Sequence, residues 1–401
     1  MPTRPCRVEI DLSALAHNLR LLQRAAGDAT LAAIVKGNAY GHSLELCAPA
    51  AVNAGAQWLA VTSTDEALSA VCACSLPQDQ PRILVLSGPF PGDGEAVAKH
   101  GFTCSVWQRD QLEELARGAL AAGCASALVH VEIDTGMSRQ GIAPGDLPAF
   151  LETLRAFPSL RLDGVMTHLY AADETDRAAT EMQLARLAES LHAICGFVSS
   201  TGTAQPKWLS VGNSAALLDA SVRERLAAMA AENKLRLLLR PGIALYGVAP
   251  EFDTSPSASI AAISGQLRPV LRWTTRITGL RWIESGAAVG YNASFRATHS
   301  MRLALIAVGY ADGLARRLSN VGHALVAGQI APYAGRISMD QAVLDVTEIP
   351  AESLVPGEEV VLLGSQGQSS VTAQDHARWA GTIPWEVFTS ISSRVLRIAK
   401  S

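Results

Sequence analysis

At 401 residues, with 49% apolar and 17% charged side chains, the chain is too long for one ordinary core and predicts a large domain with a smaller one beside it. A net charge of −4, with no basic block or basic helix face, argues against a nucleic-acid partner. No apolar run reaches the roughly 18 residues of a membrane span, and seven scattered cysteines form no C-x-x-C pair, so a soluble cytoplasmic protein without a zinc site or disulfide framework is expected.

Asp11 and Ser13 open an amphipathic stretch in which Leu12, Leu15, Leu19 and Leu22 recur at helical spacing, closed by Gly27. An apolar run then ends at Lys36. Beyond it the pattern predicts strands at 58–63, 82–86, 103–106, 128–133, 162–169, 208–211 and 237–239. Helices are predicted at 65–71, 109–122, 147–156, 178–194, 215–220 and 222–231. Counting the run before Lys36, eight short strands alternate with helices, which predicts an α/β (β/α)8 barrel of the TIM type over residues 1–248. A doubly wound sheet would want a glycine fingerprint after the first strand, and Lys36-Gly37-Asn38-Ala39 is not one.

The texture changes near residue 250. Residues 251–264 read as a polar, small-residue link. Strand-like runs follow at 270–277, 302–308, 324–327, 341–346 and 359–363, punctuated by turns such as Asp312-Gly313 and Val355-Pro356-Gly357. A mostly β C-terminal domain over 249–401 is expected, with one late helix at 373–380.

In such a barrel the chemistry gathers at the carboxyl ends of the strands. Lys36 and Tyr40 follow the first strand. An ammonium at the edge of a core is costly, burial lowers its pKa, and a neutral amine is what reacts with an aldehyde cofactor. Glu132 and then Arg139 follow strand five, and His168 closes strand six. Asn213 and Ser214 follow strand seven and open a helix whose N-terminal amides suit a phosphate. Arg240, Gly242 and Ile243 follow strand eight, where Gly242 lets the backbone approach a ligand. Singly, each has a plainer reading: a lysine reaching solvent, a core histidine, an N-cap serine, arginines in salt bridges with Glu132 as partner of either. Together, an amine, a phosphate cradle, an imidazole and two guanidiniums at one rim describe a pyridoxal 5'-phosphate site. A metal is not expected, because nine histidines are spread without ligand spacing.

Several longer motifs carry these residues: Val35-Lys36-Gly37-Asn38-Ala39-Tyr40-Gly41-His42, Asp134-Thr135-Gly136-Met137-Ser138-Arg139, Gly242-Ile243-Ala244-Leu245-Tyr246-Gly247, Gly309-Tyr310-Ala311-Asp312-Gly313 and Gly335-Arg336-Ile337-Ser338-Met339-Asp340-Gln341. On these motifs the chain resembles the alanine racemase family, fold-type III pyridoxal phosphate enzymes, over essentially its whole length. The resemblance implies interconversion of L- and D-alanine, a small amino-acid substrate, supply of D-alanine for peptidoglycan, and a homodimer with shared active sites. It implies that Lys36 is the Schiff-base lysine and one catalytic base, and that Tyr291, contributed by the partner subunit, is the other. It implies that Tyr40, Ser214 and the backbone of Gly242 and Ile243 cradle the phosphate, that His168 lies behind the cofactor ring, and that Arg240 meets the pyridine nitrogen. Arg139 would hold the phenolic oxygen and reach the substrate carboxylate, the Met339 amide would touch that carboxylate, and Tyr310 would stand at the entrance.

Two positions depart from the family pattern. Glu132 stands where many members have a lysine that becomes carbamylated, and it supplies the same negative charge directly, so orientation of Arg139 without carbon dioxide is expected. Trp385 stands where a tyrosine usually binds the phosphate, and an indole can donate a hydrogen bond but not accept one. That change motivates the alternative of a serine or broad-specificity small amino-acid racemase. A decarboxylase of basic amino acids is disfavoured by Tyr291, and a single-barrel cofactor-binding protein by the residues that follow the barrel.

Overall fold

In the computed structural model, which describes residues 4–74, 81–254 and 257–400, a short strand Arg7–Ile10 (β1) and a helix Leu12–Ala26 precede the barrel. Eight strands then follow: Thr30–Ile34 (β2), Trp58–Val61 (β3), Arg82–Val85 (β4), Thr103–Val106 (β5), Ala127–Glu132 (β6), Leu160–Met166 (β7), Trp208–Ser210 (β8) and Arg236–Leu239 (β9). They pair in parallel and in sequence order, and β9 returns to β2 through Thr30↔Leu238 and Leu31↔Leu239, closing the barrel. Every predicted strand is present. Strands such as β3 and β5 are buried along their whole length, as expected where one face fills the interior and the other meets a helix.

The barrel floor is aromatic. Trp58 meets Trp208 edge-on at 5.2 Å, Arg82 lies over Trp58 and Arg236 over Trp208. His130 fills the space beside Gly164, where a Cβ would come within 2.6 Å of its ring. Helices Leu44–Asn53 and Gly94–His100 were not predicted. The first carries Pro49 in its interior and an almost uniformly apolar sequence, and the second is only seven residues long.

Two compact units are formed, one from Leu15–Ala39 and Cys47–Arg268, the other from Met1–Ala14, Tyr40–Leu46 and Pro269–Ser401. The expected single cut after residue 248 is simpler than this partition. The link after the barrel contains a helix, Ala258–Ser264, and stays with the barrel unit. The Asn18 side chain holds it there, donating to the Arg268 carbonyl at 2.8 Å and accepting the Arg268 N–H at 2.8 Å.

In the second unit β1 is a working strand. It pairs antiparallel with Leu271–Ile283 (β10) and parallel with the last strand, Leu396–Ala399. These belong to a nine-stranded sheet, and the mostly β character expected of the C-terminal segment holds. The helix Ala373–Ala380 begins in a capping box, Thr372 accepting from the Asp375 N–H while Asp375 accepts from the Thr372 N–H. A further short helix, Pro384–Ser390, follows and carries Trp385.

Candidate active site

The buried strand β2 delivers Lys36 to the barrel rim. Immediately after it the backbone turns left-handed, with φ of 61° at Gly37, 53° at Asn38, 56° at Ala39 and 53° at Tyr40. For residues other than glycine this conformation costs about 1–2 kcal/mol each, so the turn has to be held. Glu66 holds it by accepting the Gly37 N–H at 2.7 Å and the Thr62 N–H at 2.8 Å. The Tyr246 hydroxyl donates to the Ile34 carbonyl at 2.8 Å. Burial, and then the charges of Arg139 and Arg240, hold the Lys36 amine below its ordinary pKa against the opposing Glu66 carboxylate. The arrangement favours a neutral, nucleophilic amine.

Arg240 follows β9 and is buried. Its guanidinium donates to Ser210 Oγ at 2.9 Å and to the Thr167 carbonyl at 2.8 Å, and lies 3.3 Å from Nδ1 of His168. Burial lowers its pKa to about 10, which leaves it charged at neutral pH. Burial, with the charges of Arg240, Arg139 and Lys36, pushes His168 down to about 3. The ring is therefore neutral. With Nδ1 turned to a guanidinium as acceptor, the proton belongs on Nε2.

At Ser214 the hydroxyl oxygen accepts the Gly242 N–H at 3.0 Å and the Ala244 N–H at 3.2 Å. Both lone pairs are thereby engaged, and the O–H remains to donate. Among the described residues nothing accepts from the Ser214 hydroxyl or from the buried Ile243 N–H. Burial pushes the Tyr40 phenol up to about 12, so it too is a donor at neutral pH. The Ser214 hydroxyl and the Ile243 N–H, buried donors with no acceptor among the described residues, fit a phosphate group. Asn213 is engaged by the protein at both ends: Oδ1 caps the helix through the Ala216 N–H at 3.1 Å, and Nδ2 donates to the Leu169 carbonyl at 3.3 Å.

Glu132 is buried at the end of β6. It accepts from Gln140 Nε2 at 2.6 Å, and Gln140 also donates to the Leu86 carbonyl at 3.0 Å. Burial raises the Glu132 pKa in spite of Gln140 and the two nearby arginines. Arg139 is exposed, on a turn built by Asp134, which accepts the Gly136 N–H at 2.9 Å and the Ser138 N–H at 3.0 Å. Glu132, Asp134, Arg139, Gln140 and His168 line one cleft. Among the described residues no carboxylate pairs with Arg139, so the salt bridge to Glu132 considered from sequence is not formed. Gln140 and Glu66 were missed by the sequence reading; a carboxamide beside Arg139 was the one available signal for the first.

In the second unit Tyr291, Tyr310 and Met339 are 66%, 42% and 53% exposed. The turn carrying Tyr310 is bound to the Met339 loop, Tyr310 N–H donating to the Ser338 carbonyl and Ala311 N–H to the Met339 carbonyl, both at 3.0 Å. Gly309 permits this approach, because a Cβ there would stand 2.3 Å from both acceptor oxygens. Tyr291 begins a short turn after Gly290, whose backbone is left-handed and pressed against Arg336. The Met339 N–H has no acceptor among the described residues. Trp385 is half-buried.

Family models for the alanine racemase N-terminal domain and the alanine racemase C-terminal domain match residues 10–250 and 270–399. An alanine racemase of Sorangium cellulosum is 37% identical over 98% of this chain and 98% of its own length. The crystal structure of alanine racemase from Bacillus anthracis with bound L-Ala-P superposes with a TM-score of 0.84 at 32% identity, covering 100% of this chain and 96% of that one. That from Bartonella henselae, with covalently bound pyridoxal phosphate, gives 0.81 at 28% identity, covering 100% of both chains.

Proposed function

Since the chain belongs to the alanine racemase family, we propose that Lys36 and Tyr291 are the two proton-transferring groups of its reaction. The protein interconverts L-alanine and D-alanine and uses pyridoxal 5'-phosphate. When bound, pyridoxal phosphate would supply an electron sink that makes the Cα proton of an amino acid removable. The other tasks fall to the chain's own residues. Lys36 would carry the cofactor, with Ser214, Tyr40 and the Ile243 amide donating to its phosphate. Arg240 would donate to the pyridine nitrogen, and its charge keeps that nitrogen unprotonated. Arg139 and the Met339 amide would orient the substrate carboxylate, with Tyr310 at the entrance and Glu132 supplying negative charge near Arg139.

Inversion requires a proton to leave one face of Cα and another to arrive on the opposite face, so two groups must act from two sides. The observation that carries the assignment is the Lys36 amine, seated on a strained turn with Arg139 and Arg240 holding it towards the neutral form. For Tyr291 the support is its exposure beside the Gly335-Arg336 loop, together with the role that the family resemblance implies for it in Val289-Gly290-Tyr291-Asn292. A homodimer in which each Tyr291 serves the partner's Lys36 accounts for an exposed catalytic phenol. Seven cysteines, none of them in a disulfide, accord with a reducing cytoplasm, where the product D-alanine would feed peptidoglycan synthesis.

Mixing tests this reading. Lys36→Ala and Tyr291→Phe are each expected to lose racemisation, and unfolding and refolding them together should restore part of it through hybrid dimers with one intact site. In deuterated water Tyr291→Phe should exchange the Cα hydrogen of one alanine enantiomer only. Full-rate racemisation by that variant would remove the two-base assignment.

A further inference from the structure

A wholly buried glutamine on the long helix Ala178–Thr201 touches three points of the rim at once. Gln183 accepts the Tyr170 N–H at 3.1 Å through Oε1, and through Nε2 donates to the His168 carbonyl at 2.9 Å and to Thr135 Oγ1 at 2.9 Å. Thr135 Oγ1 lies 2.8 Å from Thr167 Oγ1, which donates to the Ile133 carbonyl at 2.8 Å. Since the Thr167 proton is spent on Ile133, Thr135 is the donor between the two hydroxyls, and its own lone pair receives Gln183. The chain of bonds therefore has one direction, starting at the carboxamide. It ends at the Ile133 carbonyl, and the residue it pins, Thr167, accepts the Arg240 guanidinium through its backbone carbonyl at 2.8 Å.

We propose that Gln183 is a positioning residue, holding the 167–170 segment so that His168 and Arg240 stand correctly for the cofactor. This rests on the reading of those two residues as cofactor contacts. Only a carboxamide serves here. A glutamate could accept from Tyr170 but not donate to His168 or Thr135, and a methionine of similar volume could do neither. Burying the partners unsatisfied costs enough to displace them, so the effect should reach the cofactor pocket and not only the fold.

Gln111 supplies the control. It too is a buried glutamine on a barrel helix, and it braces its own loop by accepting the Trp107 N–H at 2.8 Å and the Gln108 N–H at 3.1 Å, with no bond to His168 or Arg240. The test compares full-length wild type, Gln183→Glu, Gln183→Met and Gln111→Met for the pyridoxal phosphate dissociation constant, the visible spectrum of the loaded protein against pH, and the melting temperature. The two Gln183 variants should bind the cofactor roughly 10-fold more weakly and shift the spectral pH dependence. Gln183→Glu should recover in part as pH falls and its carboxyl gains a proton to donate. Gln111→Met should lower the melting temperature and leave binding and spectrum unchanged. Should Gln183→Met not fold, Thr135→Val breaks the next link and is expected to show the same weakening. Wild-type binding and spectra in Gln183→Glu, or in Thr135→Val, would overturn the proposal. A wild type that takes up no pyridoxal phosphate would instead remove the functional reading beneath it.

Discussion

Gln140 donates to the Glu132 carboxylate at 2.6 Å, so the buried acid at the end of β6 is held by a carboxamide and not by a guanidinium. Its charge nevertheless lies within range of Arg139 and Arg240. Glu132→Gln keeps the shape, removes the negative charge and turns a second amide towards Gln140. Alanine racemisation is expected to fall about 10-fold in kcat/KM, with weaker cofactor binding. Wild-type rates should be the same in buffer stripped of carbon dioxide. An unaffected Glu132→Gln would end the idea that this carboxylate orients Arg139.

Lys36 is expected to be the residue that carries the cofactor. Reduction of the loaded protein with borohydride should fix the cofactor to a single peptide, the one containing Lys36, and bleach the visible band. Lys36→Arg, which keeps the charge but has no neutral amine, should give neither the band nor the label. Label on another lysine would redirect the assignment.

Trp385 sits half-buried in the helix Pro384–Ser390, and the family resemblance implies a place beside the phosphate and the substrate side chain. In that place an indole would narrow the space left for anything beyond a methyl group. Alanine should therefore be favoured over serine, and Trp385→Tyr should raise the serine-to-alanine ratio of kcat/KM by roughly 10-fold. Steady-state kinetics with both amino acids decide it, and an unchanged ratio would take Trp385 out of the pocket wall.

Asp163 predicts how the barrel responds to acid. Burial opposes its charge, but the His130 ring at 3.7 Å and the Arg82 guanidinium at 2.7 Å outweigh that and hold it at about 2, below the ordinary 3.8. A folded-state pKa below the unfolded one gives stability that is present above the unfolded value and lost as pH falls through the folded one. Asp163→Asn should thus cost about 2 kcal/mol at neutral pH. That difference should shrink between about pH 4 and pH 2, as read from urea unfolding of both proteins.

The barrel strands were legible because each is a short apolar run bounded by helix signals, and that period survives whatever lies opposite. Lys36, His168, Ser214 and Arg240 were legible for a related reason: a polar group directly after a buried strand has only the rim to occupy. The strand at Arg7–Ile10 was not, since its four residues make sense only against β10 and the chain's last strand. The groups that hold the site were equally silent. Glu66 reaches Gly37 across 29 positions, and Gln183 reaches Thr135 across 48.

Order, spacing and residue chemistry along the chain were enough for the barrel, the β segment after it and the amine at its rim, because periodicity and burial cost are local properties. Which carboxyl faces which amide, that Glu132 is held by Gln140 while no carboxylate among the described residues pairs with Arg139, and the single direction of the bonds leaving Gln183 were settled by the closed barrel alone. A hydrogen bond exists only when donor and acceptor come within about 3 Å at a workable angle, and for residues far apart in the chain that distance is a product of the fold.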